Sequence, residues 1–219
     1  MELRKTSSEK DIEKAYSRLS YVYGGFENFF EGKLRNRSLD LFNVKSGDKV
    51  LEIGFGTGYN LVELAKIAGD KGMVYGVDLT QEMINISKKR LDKNNLEKRA
   101  KLTKGNAKKL PFKNNLFDKV YISNVLEILS EKDIKRVLNE IKRVLKPKGK
   151  ICVIDVAKKG YEKSLFMKFY LFLNKNFPSY TSSPIDAEIY LKKSKFKIIK
   201  KEIVKIFGFF PMQVVIGRI

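Results

Sequence analysis

The densest chemistry in the chain lies in the run Val50-Leu51-Glu52-Ile53-Gly54-Phe55-Gly56-Thr57-Gly58-Tyr59-Asn60. An apolar strand carrying one glutamate ends in three alternating glycines and opens into an amphipathic stretch. Glycines permit positive φ and close approach of a ligand to the backbone, and the helix start beyond offers free N–H groups to an anionic group. A Walker loop would need Gly-Lys-Ser/Thr, which does not follow, and a dinucleotide fingerprint spaces its glycines as Gly-x-Gly-x-x-Gly. An ordinary strand-to-helix turn accounts for one glycine but hardly for three beside a buried-strand glutamate. The run reads as a ligand cradle at a strand's carboxyl end.

Composition limits what else the cradle's surroundings can do. The chain has 219 residues, no histidine and a single cysteine, Cys152. Imidazole bases, histidine metal sites and disulfide frameworks are therefore excluded, and a cytoplasmic, reducing setting is expected. The first ten residues have no apolar leader pattern, and no uninterrupted apolar run is long enough to span a bilayer. The net charge of +20 is uneven. Residues 48–83, around the glycines, carry −3, whereas residues 84–150 carry +13 and residues 151–219 carry +8. An acidic island suits a cationic ligand, and basic flanks suit nucleic acid, an anionic membrane or an acidic partner. Lysine supplies 36 of the 45 basic residues, which a lysine-rich proteome would also give without any ligand in view.

The elements that must position these residues follow from periodicity. Residues 10–44 read as two helices meeting at Gly24-Gly25. From Lys49 onward, short buried strands alternate with amphipathic helices: strands at Val50–Ile53, Met73–Val77, Lys101–Lys104 and Phe117–Ile122, helices at Tyr59–Ala68, Gln81–Asn94 and Asp133–Leu145. Lys146-Pro147-Lys148-Gly149 stops the last helix before a strand at Lys150–Val156. Such alternation predicts a doubly wound α/β domain with helices on both faces of a parallel sheet. Two β-like runs, Phe196–Val204 and Met212–Ile216, are joined too closely for a parallel crossover, so the final strand should be antiparallel.

Glu52-Ile53-Gly54-Phe55-Gly56-Thr57-Gly58 resembles motif I of the class I S-adenosylmethionine-dependent methyltransferases. Tyr75–Met83, Lys104–Phe112 and Phe117–Leu126 resemble the motifs of strands two, three and four, and Arg143–Lys150 resembles the turn before strand five. The resemblance covers roughly residues 48–156. It implies a Rossmann-like, seven-stranded, mostly parallel sheet, S-adenosyl-L-methionine as cofactor, and binding positions at Glu52, Gly54, Phe55, Gly56, Gly58, Asp78, Leu79, Asn106, Ala107 and Asn124. Asp78, 20 residues beyond Gly58, can accept both ribose hydroxyls. The cofactor's cationic end would compensate Glu52. Asn106 stands where the family often has aspartate, yet its amide oxygen can accept from the adenine amino group, with Ala107 supplying an N–H. The backbone at Asn124 would meet the methionyl amine, and the absence of an Asn-Pro-Pro-Tyr box there speaks against methylation of a nucleobase amine.

The chain is expected to form one domain, with a helical lid over 1–47, a cofactor-binding core over 48–156, a substrate-side helical segment over 157–195 and a strand pair over 196–219. Tyr21-Val22-Tyr23-Gly24-Gly25-Phe26 resembles the tyrosine-bearing lid of ubiquinone/menaquinone-type and phospholipid-type methyltransferases, making Tyr23 the candidate substrate residue. No catalytic base stands out and no metal is expected. The apolar helix around Leu165–Leu173 reads first as cover for the sheet; a greasy substrate pocket or a peripheral anionic-membrane contact is its other reading. The acceptor implied is a small molecule of hydrophobic or lipid type, with RNA methylation or RNA binding, or non-catalytic cofactor binding, as alternatives.

Overall fold

The computed structural model describes residues 32–176 and 182–219. The expected helix break at Gly24-Gly25, the lid residue Tyr23 and the segment Phe177–Tyr180 lie outside these residues. The described chain begins with α1, residues 32–42. There follow β1 (Lys49–Ile53), α2 (Tyr59–Ala68), β2 (Met73–Asp78), α3 (Gln81–Lys93), β3 (Ala100–Lys104), β4 (Phe117–Ser123), α4 (Glu131–Val144), β5 (Leu145–Val156), α5 (Leu165–Asn176), α6 (Ala187–Lys193), β6 (Lys197–Ile206) and β7 (Phe210–Arg218).

The strands form one seven-stranded sheet in the order β3-β2-β1-β4-β5-β7-β6. The first five are parallel, while β7 runs antiparallel to both β5 and β6. The tight hairpin at Phe207-Gly208-Phe209 enforces that reversal, as the short connection predicts. Side chains alternate across the sheet. Val50, Tyr121, Cys152 and Ile154 pack under α1, α2 and α3, whereas Leu51, Ile53, Ile122, Ile151 and Val153 pack under α4 and α6. Alternation puts Glu52 on the same face as Val50, beneath α1 and α2.

Two segments depart from the sequence reading. Leu145 already pairs with Phe117, and the ladder resumes at Lys119 opposite Lys150. Residues 146–149 therefore bulge out of β5, with Lys148 at φ 65, so Pro147 falls where no ladder donor is required. More consequentially, α5 buries only Met167. Met167 covers the sheet as expected, with Tyr170 packed beside it, but Leu165, Phe169 and Phe172 stay exposed.

Candidate functional site

β1 delivers the glycine loop to the carboxyl edge of the sheet, where Gly54 N–H donates to Val77 O at 2.8 Å. Gly54, Gly56 and Gly58 adopt φ of 67, 52 and 83. Two of them also face neighbours that leave no room for a side chain. A Cβ on Gly54 would lie 2.3 Å from Val125 Cγ2, and one on Gly58 would lie 2.5 Å from Ser87 Oγ. The loop is thus pressed between the segment after β4 and helix α3. Phe55 turns its ring into the core against Gly76, so what it presents toward a ligand is backbone.

Residues the sequence reading does not single out hold the loop from behind. Ser87 Oγ donates to Gly56 O at 2.9 Å, and Arg90 Nε donates to Thr57 O at 2.7 Å. The Arg90 guanidinium stacks 3.4 Å from the centre of the Tyr59 ring, and Arg35 lies 5.0 Å from that ring. Their only sequence signal is a serine and an arginine three apart on a helix, which is too common to interpret alone.

The acids come together beside this loop. Asp78 Oδ2 accepts from Gly56 N–H at 3.1 Å, and its Oδ1 accepts from Thr80 N–H at 3.0 Å and Thr80 Oγ1 at 3.1 Å. Burial pushes the Asp78 carboxyl above its ordinary value, opposed by the N–H groups of Thr80, Gly56 and Leu79. A carboxylate offers about four acceptor sites, so a hydroxyl-bearing ligand would add to these bonds or displace the Thr80 hydroxyl. Glu52 is almost fully buried. Its Oε1 accepts from Asn60 Nδ2 at 3.1 Å, while Asn60 Oδ1 accepts from Arg35 Nε at 3.0 Å. Arg35 of α1 is thereby linked to the glutamate of β1.

On the far side of Asp78, Asn106 Oδ1 accepts from Lys108 N–H at 2.9 Å. This Asx turn occupies one lone pair of the amide oxygen expected to meet adenine. Ala107 is half-buried beside it, against the α4 face of the core. Arg143 of α4 secures the loop that follows. It donates to Phe112 O (2.7 Å), Leu110 O (3.0 Å) and Asn114 Oδ1 (2.9 Å), and it is held by Glu140. Asn124 sits after β4 at φ 56 with its N–H on Ile154 O, one residue from the Val125 that covers Gly54.

Beyond the β4 and β5 ends, buried Glu127 accepts from Val156 N–H at 2.7 Å and from Ser182 Oγ at 2.6 Å. Ser182 is in turn 2.6 Å from the Tyr170 hydroxyl of α5. These bonds tie the β4–α4 connection, the end of β5, α5 and the segment after it to one another. Cys152 is fully buried and its thiol is pushed far up by burial, so it stays protonated and inert as a nucleophile. Among the described residues no group of cysteine and carboxylate side chains could hold a metal.

Gly54, Gly56, Gly58, Asp78, Leu79, Glu52, Asn106, Ala107 and Asn124 all lie along the carboxyl edge of β1 to β4. The geometry offers backbone at close range, an acceptor carboxylate and a second buried carboxylate, a donor set that fits a nucleoside bearing positive charge. The profile of a methyltransferase domain matches residues 50–149. The chain is 31% identical to a demethylmenaquinone methyltransferase of Lactobacillus johnsonii over 95% of its own length and 88% of that protein. A demethylmenaquinone methyltransferase of Bacillus subtilis is 31% identical over 63% of this chain, a match that spans 59% of the Bacillus protein. The fold superposes on a SAM-dependent methyltransferase from Aquifex aeolicus with a TM-score of 0.66 and 26% identity, covering 97% of this chain and 99% of that one.

Proposed function

We propose a ring carbon of a lipid-tailed quinol as the methyl acceptor of this chain, which belongs to the ubiquinone/menaquinone-type class I S-adenosylmethionine-dependent methyltransferases. One observation carries the choice of acceptor: the near full-length likeness to a protein named demethylmenaquinone methyltransferase. The enzyme uses S-adenosyl-L-methionine, which when bound supplies a methyl group already activated on a sulfonium.

Asp78 would hold the sugar, with Gly56 and Leu79 shaping the wall beside it. Asn106 and Ala107 would meet the base, and Glu52 would balance the positive charge. The backbone at Gly54, Gly58 and Asn124 would enclose the amino-acid end. A quinol ring carbon is made electron-rich by its neighbouring oxygen, so the protein's main work is to aim that carbon and keep water out. Such positioning is worth about 7–11 kcal/mol at best. As the ring carbon takes the methyl group its C–H bond breaks and that hydrogen leaves as a proton, the hydroxyl being restored as the ring rearomatises, and with no histidine in the chain any protein group that takes the proton must be a carboxylate, tyrosine or lysine. Tyr23 remains the proposed acceptor-side residue.

Purified protein given methyl-labelled cofactor should label a chemically reduced, short-tailed demethylmenaquinone at a ring carbon, as read by mass spectrometry. Incorporation into RNA or into a phospholipid amine, with the quinol untouched, would overturn the choice of acceptor.

A further inference from the structure

We propose that α5 and the β6–β7 turn form one docking surface for an anionic lipid bilayer. Helix α5 presents Leu165 at 86% exposure and Phe169 and Phe172 at 60% each, and the turn presents Phe207 at 53% and Phe209 at 57%. Solitary exposed apolar residues are ordinary on protein surfaces, but these sit on two elements that pack against each other. The Phe166 ring is 4.9 Å from Phe210 and 5.6 Å from Phe209, and Tyr170 is 5.9 Å from Phe210. These rings fasten the helix to the hairpin, and the outer aromatics of both stay exposed.

Charge selects the occupant. Lys158, Lys159, Lys163, Lys168, Lys175 and Lys205 are all exposed on or next to these two elements, with Glu162 the one exposed carboxylate between Lys158 and Lys175, and α5 contains no carboxylate. A second copy of this chain would bring the same cations against them, and a neutral apolar partner would leave them without counter-charge. An anionic headgroup layer satisfies both parts, with lysines among the phosphates and phenylalanines at the acyl boundary. The position fits as well. Ala157 N–H bonds Pro211 O, which fixes the turn at the carboxyl end of β5, the edge that also bears the glycine loop. No described helix is long and apolar enough to cross a membrane, so contact at the interface is the mode this surface allows. The inference holds for any acceptor.

Flotation of the full chain with vesicles, without cofactor or acceptor, tests it. Vesicles containing phosphatidylglycerol should bind the protein, pure phosphatidylcholine should bind it far less, and salt should weaken the binding steeply. The uncharged double variant Phe169→Ser/Phe172→Ser should lose about tenfold or more in affinity. Lys163→Glu/Lys168→Glu should weaken binding well beyond Lys88→Glu/Lys89→Glu, the same charge change made on α3 at the opposite edge of the sheet. Equal effects of the two lysine pairs, or unaltered binding of the serine variant, would reduce the interaction to net charge and overturn the proposal. So would a concentration-dependent dimer, abolished by the serine variant, in a protein that ignores vesicles.

Discussion

Alanine at position 58 is the sharpest probe of how the glycine loop is held. At φ 83 an alanine adopts the left-handed backbone at a cost of about 1–2 kcal/mol. Its methyl would lie 2.5 Å from Ser87 Oγ, 2.8 Å from Ser87 Cβ and 3.1 Å from Ser87 Cα. What must yield is therefore the body of α3, and overpacking of that kind costs about 1–3 kcal/mol. If the loop moves away instead, the Ser87 to Gly56 bond goes with it, for about 0.5–1.5 kcal/mol more. Gly58→Ala should thus destabilise by about 2–5 kcal/mol, a large part of a typical domain's stability. Urea denaturation of the full chain measures this, and calorimetry with S-adenosylhomocysteine should show affinity reduced by about tenfold or more as the loop shifts. Ser87→Gly opens the space. Measured in that background, Gly58→Ala should cost only the about 1–2 kcal/mol of backbone strain. Wild-type urea resistance in Gly58→Ala, or an identical cost with and without Ser87, would refute the packing argument.

Asp78→Asn keeps the shape of the side chain but sets an amide against the Gly56 N–H, and it should weaken S-adenosylhomocysteine binding by the about 1.5–3 kcal/mol of a charge-assisted pair; unchanged affinity in calorimetry would remove Asp78 from the sugar site. Glu127→Ala strands the Val156 N–H in the interior and leaves the Ser182 hydroxyl with Tyr170 alone, so stability should fall by about 1–3 kcal/mol, and the midpoint by roughly 2–4 °C for each of these in a thermal melt. Lys119 of β4 is buried, donates to the carbonyls of Phe42 and Asn43 at the end of α1, and lies 3.5 Å from Asp48. Burial lowers its pKa, with Asp48 opposing. A cation depressed in the folded state contributes stability that is present above its unfolded value and lost as pH falls through the folded one. The wild-type chain should accordingly gain stability with rising pH in the alkaline window just below 10.5 relative to Lys119→Met, as measured by urea midpoints at matched pH.

Period and punctuation made the parallel core legible. The helix expected at Tyr59–Ala68 has those bounds in the structure, because a glycine stands at each end of its apolar stripe. The loop and Asp78 were legible too, since few arrangements other than a ligand cradle place three glycines at alternate positions after a buried strand. Contacts made at long separation were not. Arg90 reaches Thr57 across 33 residues and Arg143 reaches Leu110 across 33, and neither leaves a local pattern. The stop at Lys146–Gly149 was read correctly as a break in the helix, but backbone pairing of Leu145 with Phe117 carries the strand past it. Helix α5 shows the limit most clearly. An all-round apolar helix does not report which of its faces the sheet covers, and only the three-dimensional placement shows that Met167 is covered while Phe169 and Phe172 are not.

The grip of Arg143 on Leu110, Phe112 and Asn114 has a bearing on timing. A loop tethered at three points by one guanidinium is ordered when the chain folds, so the encounter with a nucleoside leaves nothing to freeze in this loop. Capture should then proceed at a rate governed by diffusion and by access to the cleft, with differences in affinity among analogues expressed in how long each one stays.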